Sequence, residues 1–377
     1  MTRRAQTVVW TLLKLGVVAA IFGWLISRGA IDWTYFRVGP ESLPWAAGGA
    51  LLIFVSILMT GTRYWTILRA NGIEIELPFI LKTELAATFF NMCSIGPVGG
   101  DIVRSWYVYR HSRDAFVVGA STLADRLFGV YALLLIATGS FLCIGPEQTA
   151  SPVFDAIRSV AFGATGAGLG FGLSLLLRRC VGRGPSVACL VGMVAGMAAI
   201  GHAAAASGAE MRAWWIMAGA TALGGGLAYF AVHGVVESGI AALAGRGRVG
   251  GHAASVIRAL LVVKDHPVSA VKALCLSTVQ QSCYILSVFC FAHALALPVF
   301  PSLAEIFFAT SLTFIMSVVP MPGSGLGISE AAMEFLLVTV SPGAVGGASV
   351  YLCFRAWLIL VSATGLPFYF SKGRDRA

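Results

Sequence analysis

The sequence predicts an all-α integral membrane protein with about eight transmembrane helices and two oppositely oriented re-entrant hairpins, arranged as an inverted repeat. Three observations carry that prediction. Hydrophobic residues fill 58% of the 377 positions and charged residues only 11%, against roughly 45–50% and 25% in soluble domains. The apolar residues come in runs of about twenty, the length one helix needs to cross a bilayer. Two of the apolar stretches are broken by Pro and Gly, and the loop charges require both to turn back rather than cross.

The uninterrupted runs lie at about 8–27, 43–68, 115–144, 156–177, 185–206, 213–241, 269–296 and 344–370. The first follows Arg3 and Arg4 but is long, contains Lys14 and precedes no small-residue cleavage site, so it reads as an uncleaved span rather than a signal peptide. Basic residues mark one set of segment ends: Arg69, Arg104, Arg110, Arg113, Arg178, Arg179, Arg183, Arg246, Arg248, Arg258, Lys264, Lys372, Arg374 and Arg376. The loops 146–155, 207–212 and 297–302 hold one arginine among them, Arg212, and no lysine. With the basic ends in the cytoplasm, the stretch at about 83–103 enters and leaves from the cytoplasmic side. The stretch at about 303–341 enters and leaves from the outer side. Both termini are then cytoplasmic, residues 245–266 form a cytoplasmic loop, and the 377 residues make a single polytopic domain in a bacterial-type plasma (inner) membrane. The loop 28–42, with Arg28 and Arg37 balanced by Asp32 and Glu41, fits this scheme least well.

The broken stretches resemble each other. One reads Ala87-Thr88-Phe89-Phe90-Asn91 before Ser94-Ile95-Gly96-Pro97-Val98-Gly99-Gly100, and the other Ala309-Thr310-Ser311-Leu312-Thr313 before Ser317-Val318-Val319-Pro320. Interrupted helices at matching places in opposed halves point to an inverted repeat with a binding site near the bilayer midplane. The small residues of 163–172 and 192–201 are read as close helix packing in lipid.

The net charge of +9 does not indicate nucleic acid, because the basic residues sit in short loops where they orient the chain and meet anionic headgroups. Of eight cysteines, seven lie in apolar stretches and none has metal-ligand spacing, so they are read as packing residues. No cofactor is expected.

A charge at membrane depth is costly and marks a functional candidate. Those here are Arg63, Glu84, Asp101, Arg104, Asp125, Arg126, Glu237, Glu330, Glu334 and Arg355. A buried ion pair fixing helix register, or snorkelling to an interface, is the competing reading, and for Glu237 the preferred one. The turns Gly99-Gly100-Asp101 and Gly323-Ser324-Gly325-Leu326-Gly327 each open a helix whose backbone N–H groups suit a phosphate or carboxylate. Arg126 or Arg355 could add a charge-assisted contact to the same anion. Glu330 and Glu334, four apart, share one helix face.

These residues resemble the flippase-type transmembrane domain of the lysylphosphatidylglycerol synthase family. The resemblance rests on Gly61-Thr62-Arg63-Tyr64-Trp65, Pro97-Val98-Gly99-Gly100-Asp101-Ile102-Val103-Arg104, Asp125-Arg126-Leu127, Pro320-Met321-Pro322-Gly323-Ser324-Gly325-Leu326-Gly327-Ile328-Ser329-Glu330-Ala331 and Arg355, in family order along nearly the whole chain. It implies movement of modified phospholipids between leaflets. It also implies substrate-binding roles for Arg63, Asp101, Arg104, Asp125, Arg126, Glu330 and Arg355, and the reading of the two turns adds Gly99, Gly100, Pro322, Gly323, Gly325 and Gly327 to that expected binding set. Two features depart from the family pattern: Ser324 interrupts the glycines and Ser329 stands where a basic residue is usual. The sequence ends at Ala377, so the resemblance is to stand-alone members, and lysine transfer to lipid is not expected.

The expected partners are membrane lipids: an anionic or aminoacylated phospholipid, or a polyprenyl-linked or glycolipid molecule. A homodimer, or association with a lipid-modifying enzyme, is compatible with this reading. A membrane-embedded transferase acting on a polyprenyl-phosphate substrate is the alternative. Its support is limited to Glu147 and Asp155 in a short loop, with no nucleophile–base spacing or phosphate-binding loop. An ion-coupled transporter of a small solute is the third reading, and an accessory subunit the fourth.

Overall fold

The structure is a computed structural model that describes residues 39–93, 99–144, 267–317, 325–341 and 343–368, together with Gly23 and Ser27. The predicted spans at 156–177, 185–206 and 213–241 and the cytoplasmic loop at 245–266 lie outside the described residues, as does nearly all of the span at 8–27. So do the turn centres 94–98 and 318–324, which include Pro322 and Gly323.

Every regular element among the described residues is helical. Four helices are long and apolar enough to cross a membrane: α1 (Leu43–Ala70), α4 (Ala115–Leu142), α5 (Pro267–Ala294) and α8 (Gly347–Ser362), the last continuing through a 3-10 turn to Phe368. Between α1 and α4 lies a broken pair, α2 (Leu77–Cys93) and α3 (Gly99–Ser112). Between α5 and α8 lies another, α6 (Leu303–Ser317) and α7 (Ile328–Val340). The order long helix, broken pair, long helix therefore occurs twice. At 15 and 13 residues, α6 and α7 span only about 22 Å and 20 Å, short of the roughly 30 Å hydrocarbon core.

Local chemistry sets the ends. Proline falls in the first turn of α1, α2 and α5 (Pro44, Pro78 and Pro267), where a missing N–H costs nothing. Asp114 caps α4, its Oδ1 accepting the N–H groups of Phe116 at 3.0 Å and Val117 at 3.1 Å. Ser302 and Glu305 cap α6 reciprocally: the Ser302 N–H donates to Glu305 Oε2 at 2.8 Å, and the Glu305 N–H to Ser302 Oγ at 3.3 Å. At the end of α1, Gly72 adopts φ +78°, with Ile73 N–H returning to the Leu68 carbonyl at 3.0 Å.

The helices group into two compact units. The first contains residues 1–61, 78–106 and 279–377, hence nearly all of α2, the start of α3, the whole of α6, α7 and α8, and parts of α1 and α5. Within it α1 and α5 run antiparallel: Trp45 meets His293, Gly49 meets Phe291 and Ser56 meets Gln280. A β-carbon on Gly49 would lie 2.7 Å from the Phe291 ring, so a larger residue there would have to displace that ring. α6 packs on α7 and α7 on α8. The end of α8 meets α2, where Gly365 lies against the backbone of Leu85 and Ala86. The second unit contains residues 62–77 and 107–278. In it Ile67, Ala124 and Ala273 form one buried cluster with Phe128, joining α1, α4 and α5.

Candidate functional site

Three groups of buried charge stand out, each inside one unit. The first is at the start of α7. Glu330 is the third residue of that helix and has 0% exposure. Its Oε1 accepts from Arg355 Nη1 at 2.9 Å, and its Oε2 accepts the Gly327 N–H at 2.6 Å. One carboxylate thus caps α7 and pairs with the guanidinium carried by α8. Gly325 and Gly327 hold φ +72° and +87°, the left-handed region that favours glycine. The Arg355 guanidinium also lies 5.9 Å from the centre of the Tyr351 ring.

One turn further along α7, Glu334 turns to a different partner. It accepts the N–H of Ala348 at 2.9 Å and of Gly346 at 3.4 Å, capping α8 from outside. Gly347 allows this approach, since a β-carbon there would lie 3.2 Å from the Glu334 carboxylate. The two glutamates therefore fix the starts of consecutive helices, and through α8 the position of Arg355.

The second group joins α2 and α3. Arg104 Nη1 lies 3.2 Å from Glu84 Oε2, and its Nη2 lies 3.1 Å from Asp101 Oδ1. Two carboxylates therefore flank one guanidinium. The helices approach closely: the Gly100 N–H donates to Asn91 Oδ1 at 2.8 Å, and a β-carbon on Gly100 would fall on the Ala87 carbonyl. Asp101 stands in the first turn of α3, where the dipole favours an anion. The third group is in the other unit. Arg63 Nε meets Asp125 Oδ1 at 2.6 Å, Arg63 Nη1 donates to Ser277 Oγ at 3.1 Å, and all three residues are buried. Tyr64 and Thr122, beside them, bond at 3.1 Å.

Of the residues singled out from sequence, Arg63 is thus brought to Asp125, Arg104 to Asp101, and both Arg355 and Gly327 to Glu330. Gly99 and Gly100 open α3 as expected. The Gly100 and Gly327 N–H groups, read from the sequence as suited to a phosphate or carboxylate, donate to Asn91 Oδ1 and Glu330 Oε2. Arg126 is half-buried on α4, in the second unit. Glu84, Asn91, Ser277 and Glu334 complete the groups but were absent from the expected binding set. An intramembrane carboxylate was the signal for Glu84 and Glu334. A lone serine or asparagine in an apolar run gives none.

Long apolar helices, short paired helices between them and charges satisfied in the interior define a polytopic helical membrane protein. The sequence profile described as the lysylphosphatidylglycerol synthase TM region matches residues 11–365, and the chain belongs to that family. It is accordingly a multi-pass membrane protein of lipid handling. No curated protein and no solved structure matched it.

Proposed function

We propose that the protein translocates an amphiphilic lipid between leaflets, the headgroup passing the broken helices while the acyl chains stay in the bilayer. The carrying observation is that each broken pair supports a buried arginine–carboxylate contact at the start of its second helix, Arg104 with Asp101 and Arg355 with Glu330. Charges at this depth are costly and mark functional positions, and arginine is well suited to a phosphate.

In this reading the broken pairs are re-entrant hairpins of opposite orientation, and eight spans with cytoplasmic termini cross a plasma (inner) membrane. The doubled order of elements supports an inverted repeat. The cargo is a modified or anionic phospholipid, or a lipid-linked sugar. Arg63, Asp125 and Arg126 serve it from α1 and α4, with Gly99, Pro322 and Gly323 at the two turns. Purified protein in vesicles carrying a labelled phospholipid should speed its leaflet exchange. Replacing Arg126 or Glu330 should slow that exchange; unchanged rates in both variants would remove these residues from the route.

A further inference from the structure

Arg355 has a neighbour with no part yet in the proposed route. Tyr351 lies one turn earlier on α8, is 4% exposed, and carries the guanidinium over its ring at 5.9 Å. A spacing of four residues places both side chains on one face of the helix. Tyr351 also packs against Phe354 at 5.7 Å and against Phe314 of α6 at 6.1 Å. Tyr284 of α5 completes the cluster, edge-on to Phe354 at 5.9 Å and 87°. Helices α5, α6 and α8 thus meet in rings, all within the first unit.

Phenylalanine would fill the same space in such a cluster, and a hydroxyl buried among rings is costly unless it is bonded. This one is: the Ser329 side chain and the Tyr351 hydroxyl share a hydrogen bond. Ser329 is 3% exposed and stands beside Glu330 in the first turn of α7. Its Oγ would lie 3.0 Å from a β-carbon on Gly325, so it sits against the turn that precedes the helix. Two paths therefore run from that turn to α8. One passes from the Gly327 N–H through Glu330 to Arg355. The other passes from Gly325 through Ser329 to Tyr351, and the two meet at the guanidinium. Glu330 holds it at Nη1, and the ring adds a second constraint through the attraction of a cation to an aromatic face.

We propose that Tyr351 is a positioning residue that aims Arg355 at the lipid headgroup, with Ser329 fixing the ring through its hydroxyl. Recognition of a phosphate by arginine depends on how the guanidinium plane is held. A loosened Arg355 therefore binds the headgroup less well without slowing a lipid already bound. This inference rests on the translocation reading. The test uses the full chain in vesicles, with the exchange rate of a fluorescent phosphatidylglycerol followed as its mole fraction is raised. Tyr351→Phe and Ser329→Ala each remove one hydrogen bond, so each should raise the half-saturating mole fraction about two- to twelvefold and leave the maximal rate within about twofold. Arg355→Lys keeps the charge but offers no plane to hold. In that background Tyr351→Phe should shift half-saturation by less than about twofold, because the two residues act as a unit. An unaltered half-saturation point in Tyr351→Phe overturns the proposal. So does an equal loss with and without Arg355→Lys, which would make the ring general packing. If the native chain moves no lipid, the translocation reading fails instead, and unfolding in mixed micelles decides the positioning. Effects of Tyr351→Phe and Arg355→Lys on the unfolding constant that multiply to within about twofold would show no coupling and overturn it, whereas a larger departure supports it.

Discussion

Removing either partner of the Glu330–Arg355 pair leaves a charge with no counterion in a site closed to water. Glu330 is wholly buried and Arg355 is 6% exposed, so neither can rehydrate without unpacking α7 from α8. Breaking such a pair from one side costs about 3–5 kcal/mol. Glu330→Leu also strips the Gly327 N–H of its acceptor, adding about 1 kcal/mol. Arg355→Met alone should cost about 3–5 kcal/mol, because the carboxylate stays behind. The double variant removes both charges and should be less damaged than the sum of the single variants by at least about 2 kcal/mol. Equilibrium unfolding in mixed micelles, followed by tryptophan fluorescence, measures all four corners of the cycle. Single effects that add to within about 0.5 kcal/mol would refute the reasoning, since independent sites add in that way.

Four further outcomes follow from the packing. Gly100→Ala places a methyl group on the Ala87 carbonyl and should destabilise by about 1–3 kcal/mol or more. Gly139→Ala, where a β-carbon meets nothing within 4 Å, should stabilise α4 by about 0.5–1 kcal/mol; the same unfolding assay separates the two. Glu334→Gln leaves one carbonyl oxygen to cap α8 and should lose about 0.5–2 kcal/mol, less than Glu330→Leu. Arg63→Lys cannot serve Asp125 and Ser277 through a planar fork, so it should unfold at lower denaturant than the native chain, and a match to wild type would show that the fork is idle.

The long helices were legible because hydropathy is a property of the run itself. The apolar stretch at 43–68 became Leu43–Ala70, and that at 115–144 became Ala115–Leu142. The helices around the first break extend further than the 83–103 expected. α2 begins at Leu77, just before Pro78, and α3 continues through polar residues to Ser112, where apolarity no longer marks a helix but backbone hydrogen bonding still does. The charges could be picked out singly because each is conspicuous at that depth. Their pairing could not, since Arg63 meets residues 62 and 214 positions away, a matter of tertiary packing. Nor does the spacing of Glu330 and Glu334 reveal that one faces Arg355 while the other caps α8.

The central claim is that the buried arginine–carboxylate groups serve the passage of a lipid headgroup. The most direct measurement is the fraction of a fluorescent phospholipid in sealed vesicles that an impermeant reductant can reach. Vesicles without protein should stop at the outer leaflet's share, whereas vesicles with the native chain should lose signal well beyond it. The Glu330→Leu/Arg355→Met double variant, if folded as the unfolding cycle predicts, should behave like empty vesicles. A folded native chain that moves neither anionic, aminoacylated nor sugar-bearing lipid would contradict the account, as would a double variant that moves lipid at the native rate.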